Sequence, residues 1–221
     1  MPKLSQIELY LDGDYSKEEK REFLFKSRSV CNFWEREVSK LMFTSNYSRL
    51  NVYVSDGSKE EKVQPMKAVP FLEVIVHYPI SGITKVEDIE LQQHYINILG
   101  IALSAARSVV PIPFEQSMDI LRRFEENNYK NEWVQAAGVW EKKSIESRVT
   151  ADLSLSEFKL TQYVYESSEL VGESVILNTL PREILFNEYL GKLSLSKCGI
   201  LEYKKGKIVL SQFDIKSRRF S

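Results

Sequence analysis

Histidine, cysteine and glycine are scarce in this 221-residue chain, and each shortage removes a class of function. The 2 cysteines, Cys31 and Cys198, allow one disulfide at most, so a disulfide scaffold is excluded. Both sit beside apolar residues and are expected to be reduced, mostly buried thiols. The 9 glycines occur singly. No glycine-rich loop of the P-loop or dinucleotide-binding kind can be drawn from them, and there is no Gly-x-Ser-x-Gly elbow. With 7 prolines beside those glycines, collagen-like and low-complexity sequence is excluded as well. Long apolar runs are also missing. The most apolar stretch, residues 96–110, is interrupted by Asn97, Ser104, Arg107 and Ser108, too short and too polar for a membrane span. Residues 1–11 alternate polar and apolar and lack the basic and apolar regions of a signal peptide, so the expected location is the cytoplasm. Asn46-Tyr47-Ser48 fits a glycosylation acceptor, which carries little meaning in that setting.

No charge of one sign dominates: 30 Lys and Arg face 31 Asp and Glu, which disfavours a wholesale polyanion binder. Hydrophobic residues make up 43%, enough for a packed core.

Ile7, Leu9 and Leu11 alternate with polar residues, which is strand periodicity. Ser16 and Glu19 have capping-box spacing. They open a helix over 17–43 whose apolar face carries Phe23, Ser27, Val30, Cys31, Trp34, Val38, Leu41 and Met42. Leu50, Val52 and Val54 alternate as a second strand, residues 59–62 read as a charged loop tip, and residues 71–78 as a central strand. Thr84 and Glu87 suggest a second capping box and a helix over 86–108, apolar on more than one side, with Ile89 and Ile101 counted on its buried faces. A third helix is expected over 114–127. Between 129 and 143 the spacing of Trp133, Ala136, Ala137 and Trp140 fits a helix that Gly138 weakens. From 147 onward the texture is strand-like. It ends in a hairpin turning at Lys204-Lys205-Gly206 and a frayed tail over 214–221.

Candidate chemistry is sparse. Glu90 and His94 share a helix face and His77 ends a strand, so the three together could serve a metal-assisted hydrolase. Core packing explains Cys31 better than a thiol nucleophile does. The pairs Glu18-Glu19 and Glu87-Asp88 fall in first helical turns, where they complement the helix dipole. Charge is distributed unevenly near the C-terminus: residues 150–190 carry 7 acidic and 2 basic side chains, residues 191–221 carry 2 acidic and 8 basic. The two segments either neutralise each other or face partners. The basic one, with Lys204, Lys205, Lys207, Arg218 and Arg219, would suit nucleic acid, a less favoured reading. The acidic one would suit a basic protein. Tyr163, Tyr165, Glu166, Glu169 and Glu173 in the acidic stretch form the candidate partner-binding set.

The expected architecture is α+β: an antiparallel sheet with two main helices packed on one face and a β-rich C-terminal half. It is read as a single domain over 1–221, or as two parts, 1–128 and 147–221. The expected function is a non-enzymatic cytoplasmic protein-binding module with no cofactor. Its concrete form is a bacterial immunity-type protein that blocks the active site of a basic toxin domain. The alternatives are the Glu90/His94/His77 hydrolase and a nucleic-acid binder using the basic hairpin.

Overall fold

The computed structural model describes residues 4–41, 43–57, 59–80 and 82–221. The chain forms an α+β fold whose sheets are mostly antiparallel, and it divides into two compact units, Met1–Asn131 and Glu132–Ser221. No described helix is long and apolar enough to cross a membrane.

In the first unit, β1 (Gln6–Leu11), β2 (Arg49–Ser55), β4 (Phe71–His77) and β3 (Lys62–Pro65) form one sheet in the order β1-β2-β4-β3. Here the antiparallel expectation is corrected: β1 runs parallel to β2, and β2 parallel to β4, with only β3 antiparallel at the edge. The cause is the connection. Between β1 and β2 the chain passes through α1 (Lys17–Lys26) and α2 (Arg28–Val38), long enough to return it to the starting end of the sheet. The loop tip expected over 59–62 is a loop as far as residue 61; the short polar strand β3 that follows it was not anticipated, because four residues give too little alternation to read.

The expected helix over 17–43 is two helices. Ser16 and Glu19 do form the capping box, Ser16 N–H donating to Glu19 Oε2 at 2.9 Å and Glu19 N–H to Ser16 Oγ at 3.1 Å. At Ser27 the hydroxyl donates back to the Leu24 carbonyl at 2.9 Å, and the helical run divides there. The second helix stops at Val38; Met42 lies outside the described residues. The helix expected over 86–108 is α3 (Asp88–Ala106), with Glu87 at its N-cap and no side-chain cap bond; the Thr84 side chain lies outside the description. Ile89 (70% exposed) and Ile101 are exposed rather than buried, since the helix is already covered on the face of Leu91, Tyr95, Ile98, Leu99 and Ala102. After α3 comes α4 (Phe114–Glu126).

Alternation sorts the sheet into two faces. Ile7, Leu9 and Leu11, then Leu50, Val52 and Val54, then Leu72, Val74 and Val76 are buried on the helix side. Trp34 and Tyr95, fully buried, belong to the same core. The other face carries Glu8, Tyr10, Asn51, Tyr53 and Glu73. At the β1 edge, Arg28 donates to the Ile7 carbonyl at 2.6 Å and to Glu35 at 2.8 Å, and Glu35 accepts from the Ile7 N–H at 2.8 Å.

The second unit holds two four-stranded antiparallel meanders. The first is β5 (Glu132–Trp140), β6 (Ile145–Leu153), β7 (Phe158–Glu166) and β8 (Glu169–Thr179). After the short helix α5 (Glu183–Phe186) comes the second: β9 (Lys192–Leu195), β10 (Ile200–Lys205), β11 (Ile208–Asp214) and β12 (Arg219–Phe220). Residues from both sheets share the core: Val149, Phe158 and Leu160 with Phe186 and Tyr203, and Val164 with Leu201 and Phe213. The two sheets come close at Gly172, where a Cβ would stand 2.6 Å from the Phe213 ring.

Two expectations fail in this unit. The Trp133–Trp140 stretch is strand β5, in which a bulge at Gln135 moves the alternation by one residue and imitates helical spacing. The tail is not frayed: Phe220 packs on Phe213 with ring centroids 4.9 Å apart, and Arg219 pairs with Asp214 across the ladder.

The β7–β8 hairpin turns on Ser167 and Ser168, with φ of 49° and 71°. Both central positions of this turn need left-handed backbone, which a side chain opposes. Ser168→Gly is expected to stabilise the second unit by roughly 0.5–1 kcal/mol, the relief of the left-handed strain less the entropy that glycine loses. Urea unfolding of wild type and variant checks it; an unchanged or lower midpoint refutes it.

Candidate functional site

The first meander presents an inner face to the core and an outer face away from it. Cross-strand register sets the outer face in rows. Val139, Glu146, Tyr165 and Leu170 form one row; Ala137, Arg148, Tyr163 and Glu173 the next; Val134, Thr150, Thr161 and Val175 the third; Glu132, Asp152, Lys159 and Asn178 the last. A solvated sheet face is ordinarily polar. This one keeps four aliphatic side chains out of the core: Val134 is 56% exposed, Val139 65%, Leu170 53% and Val175 48%. They line the two edge strands and flank the tyrosines of β7. Glu132, Val134, Thr150, Asp152, Lys159 and Tyr163 are among the residues around a surface depression of about 430 Å³.

The charge on this face is mainly negative. Glu132, Glu146, Asp152 and Glu173 contribute carboxylates; Arg148 and Lys159 are the cations in the same rows. Arg148 is already engaged, its Nε donating to Glu146 at 2.6 Å while the guanidinium lies 5.8 Å from the Tyr165 ring centre.

The expected partner-binding set is divided by this geometry. Tyr163, Tyr165 and Glu173 share the outer face, Tyr163 directly opposite Glu173. Glu166 alternates to the other side at the end of β7, where its carboxylate pairs with Arg218, and the exposed Glu169 lies opposite it across the turn. The Glu166–Arg218 pair also joins the acidic segment to the basic one. Within the basic segment, Lys204 pairs with Glu202 at 3.0 Å and Lys205 donates to the Leu190 carbonyl at 2.9 Å. Sequence reasoning missed the four aliphatics. Each is an ordinary strand residue in sequence, and only the register puts them on one surface.

The Glu90/His94/His77 set is not assembled. His94 receives or donates a 2.7 Å bond with the Tyr78 hydroxyl and lies 3.7 Å from Glu90, whereas His77 bonds to the Lys59 carbonyl and sits 4.0 Å from Glu61. His77 ends its strand, His94 lies inside its helix, and the two are drawn to different partners. Among the described residues no three His, Cys, Asp or Glu side chains converge to hold a metal ion. Cys31 is buried as expected, but Cys198 is exposed, because it falls in the turn between β9 and β10 rather than on a strand's inner face.

A second depression, of about 540 Å³, lies between the end of α2 and α4. Its charges are largely paired with each other: Glu37 with Lys40 and Arg123, Asp119 with Arg122. Burial pushes the Glu37 carboxyl up, but the two cations outweigh it and hold it below the ordinary range.

No family model, no curated protein and no solved structure matches this chain.

Proposed function

We propose that this chain is a non-enzymatic, cytoplasmic binding protein whose outer β5–β8 face docks a protein partner with a basic surface. One observation carries the reading: exposed aliphatics and tyrosines share a face with an excess of carboxylates. Apolar and aromatic anchors supply binding energy when a partner dries them, and a rim of one charge sign steers a partner of the opposite sign. In its finer form the reading is an immunity-type protein. The partner is then a toxin domain whose basic active-site groove receives this acidic face.

The test is recovery from the chain's own cells at low salt, followed by reconstitution with the recovered protein. The expected partner is basic, protects β5–β8 amides from hydrogen exchange, and associates more slowly as ionic strength rises. Tyr163→Ala is expected to weaken the complex about 30-fold, as an anchor at the centre of an interface does, and Glu173→Lys to slow association. An interaction indifferent to both substitutions, or protection confined to other strands, overturns the reading.

A further inference from the structure

We infer that the helix-free face of the N-terminal sheet is a seat for an organic cation bearing N–H donors, an alkylammonium or a guanidinium group. The inference stands on a different surface and is independent of the binding reading above.

Across β1, β2 and β4 the register aligns Glu8, Asn51 and Glu73 in one row, on the face opposite the helices. Asn51 stands at the centre. Its residue is only 6% exposed, and its Oδ1 has no hydrogen-bond partner. Its amide nitrogen donates weakly to Met66 Sδ at 3.3 Å. A buried acceptor left unpaired is a cost that a fold rarely carries without cause. The donors nearby are spent elsewhere. Arg49 reaches Glu8 at 3.4 Å and lies 5.1 Å over the Phe71 ring, and Gln64 donates to Glu73 at 2.8 Å. Glu73 therefore has only a neutral donor in hydrogen-bond contact, since Lys59, near enough to feel its charge, is bonded to Asp12, while Asn51 Oδ1 has no hydrogen-bond partner.

The next row adds an aromatic surface. Tyr10 and Tyr53 stack with centroids 5.3 Å apart and planes 22° from parallel. Stacked phenol faces beside carboxylates attract a cation and offer nothing to an anion. A metal ion fits poorly, since no ligand trio exists among the described residues. An N–H-bearing cation fits every feature: its charge answers Glu73, its N–H groups answer Asn51 Oδ1, and its carbon stem lies along the tyrosines. Met66, unbranched and flexible, covers the amide and is the side chain that swings aside to admit it.

A free cation and one borne on a protein share this chemistry, so the test uses agmatine and n-butylammonium as free probes and a capped Ala-Arg-Ala tripeptide as the protein-borne one. Calorimetry at low salt and the side-chain amide shifts of Asn51 give the readout. Saturable binding of the free probes, with Asn51 shifts, supports a small-molecule seat; binding of the tripeptide alone supports a side chain from a partner. In either case Asn51→Leu is expected to weaken binding about tenfold or more, and tetramethylammonium, which has no N–H, to bind weaker than n-butylammonium by a similar factor. Asn51→Leu removes an unpaired acceptor and so should fold; Glu73→Gln, which keeps the shape, gives the second variant and should also weaken binding. No saturable binding by any probe overturns the inference, as does binding that Asn51→Leu leaves unchanged.

Discussion

Arg28→Ala is expected to destabilise the first unit by about 3–5 kcal/mol, the scale of a buried ion pair that loses one partner. Arg28 and Glu35 have side chains only 4% and 11% exposed, 2.8 Å apart. Removing the guanidinium leaves the Glu35 carboxylate in the interior without that cation and strips the Ile7 carbonyl of its donor. The cost is the isolated charge more than the lost attraction, so removing both charges behaves differently: Arg28→Met with Glu35→Leu is expected to recover most of the loss. Glu35→Gln, which still offers an oxygen to the Ile7 N–H, falls between. Urea unfolding read by hydrogen exchange in β1 and α2 peptides measures all three. A loss below about 1 kcal/mol for the single variant, or a double variant as weak as the single one, refutes this account.

Phe186→Ala is expected to cost the second unit about 3–5 kcal/mol, the range for a large core side chain cut to alanine. Phe186 is 1% exposed although it sits on a helix of only four residues. Its ring stacks on Phe158 at 3.9 Å and 12°, in the core cluster that also holds Val149, Leu160 and Tyr203. The ring thus plugs the core from the connection between the meanders, and no neighbour on so short a helix can slide into its place. Phe186→Leu keeps most of the volume and should cost under about 1.5 kcal/mol. Thermal unfolding of the two variants separates them, and equal losses would mean that volume is not what Phe186 supplies.

Much of this fold was legible where one side of an element is buried and the other is not. In β1, β2 and β4 every second residue is apolar, in β6 and β7 the buried Ser147 and Gln162 are the inner-face exceptions, and the strands lie where the alternation put them. Legibility failed where a single residue changes the phase. The bulge at Gln135 made β5 resemble a helix, and the Ser27 hydroxyl divided one apolar face between two helices. Strand direction was illegible because it depends on the crossover through α1 and α2, not on the strands. The same limit applies to the binding face. Tyr163, Tyr165 and Glu173 could be picked out by type and spacing, but Val134 and Val139 join them only through pairing with β6, and Glu166 is withdrawn by Arg218, 52 residues later. Asn51 could not be singled out at all. In sequence it is one polar residue between Leu50 and Val52, and its unpaired oxygen is a property of the assembled sheet.

The bonds that Arg28 and Glu35 make to Ile7 have a consequence beyond the stability of one chain. β1 is the outermost strand of its sheet, and its outward N–H and C=O at Ile7 are where a further strand would attach. The two side chains occupy both hydrogen-bonding positions at Ile7 and block the ladder there. In the Arg28→Met, Glu35→Leu protein the interior is repaired, yet that edge is open to another molecule. Its defect is therefore expected in concentrated solution, as sheet-to-sheet aggregation of a protein that still unfolds at nearly the original denaturant concentration.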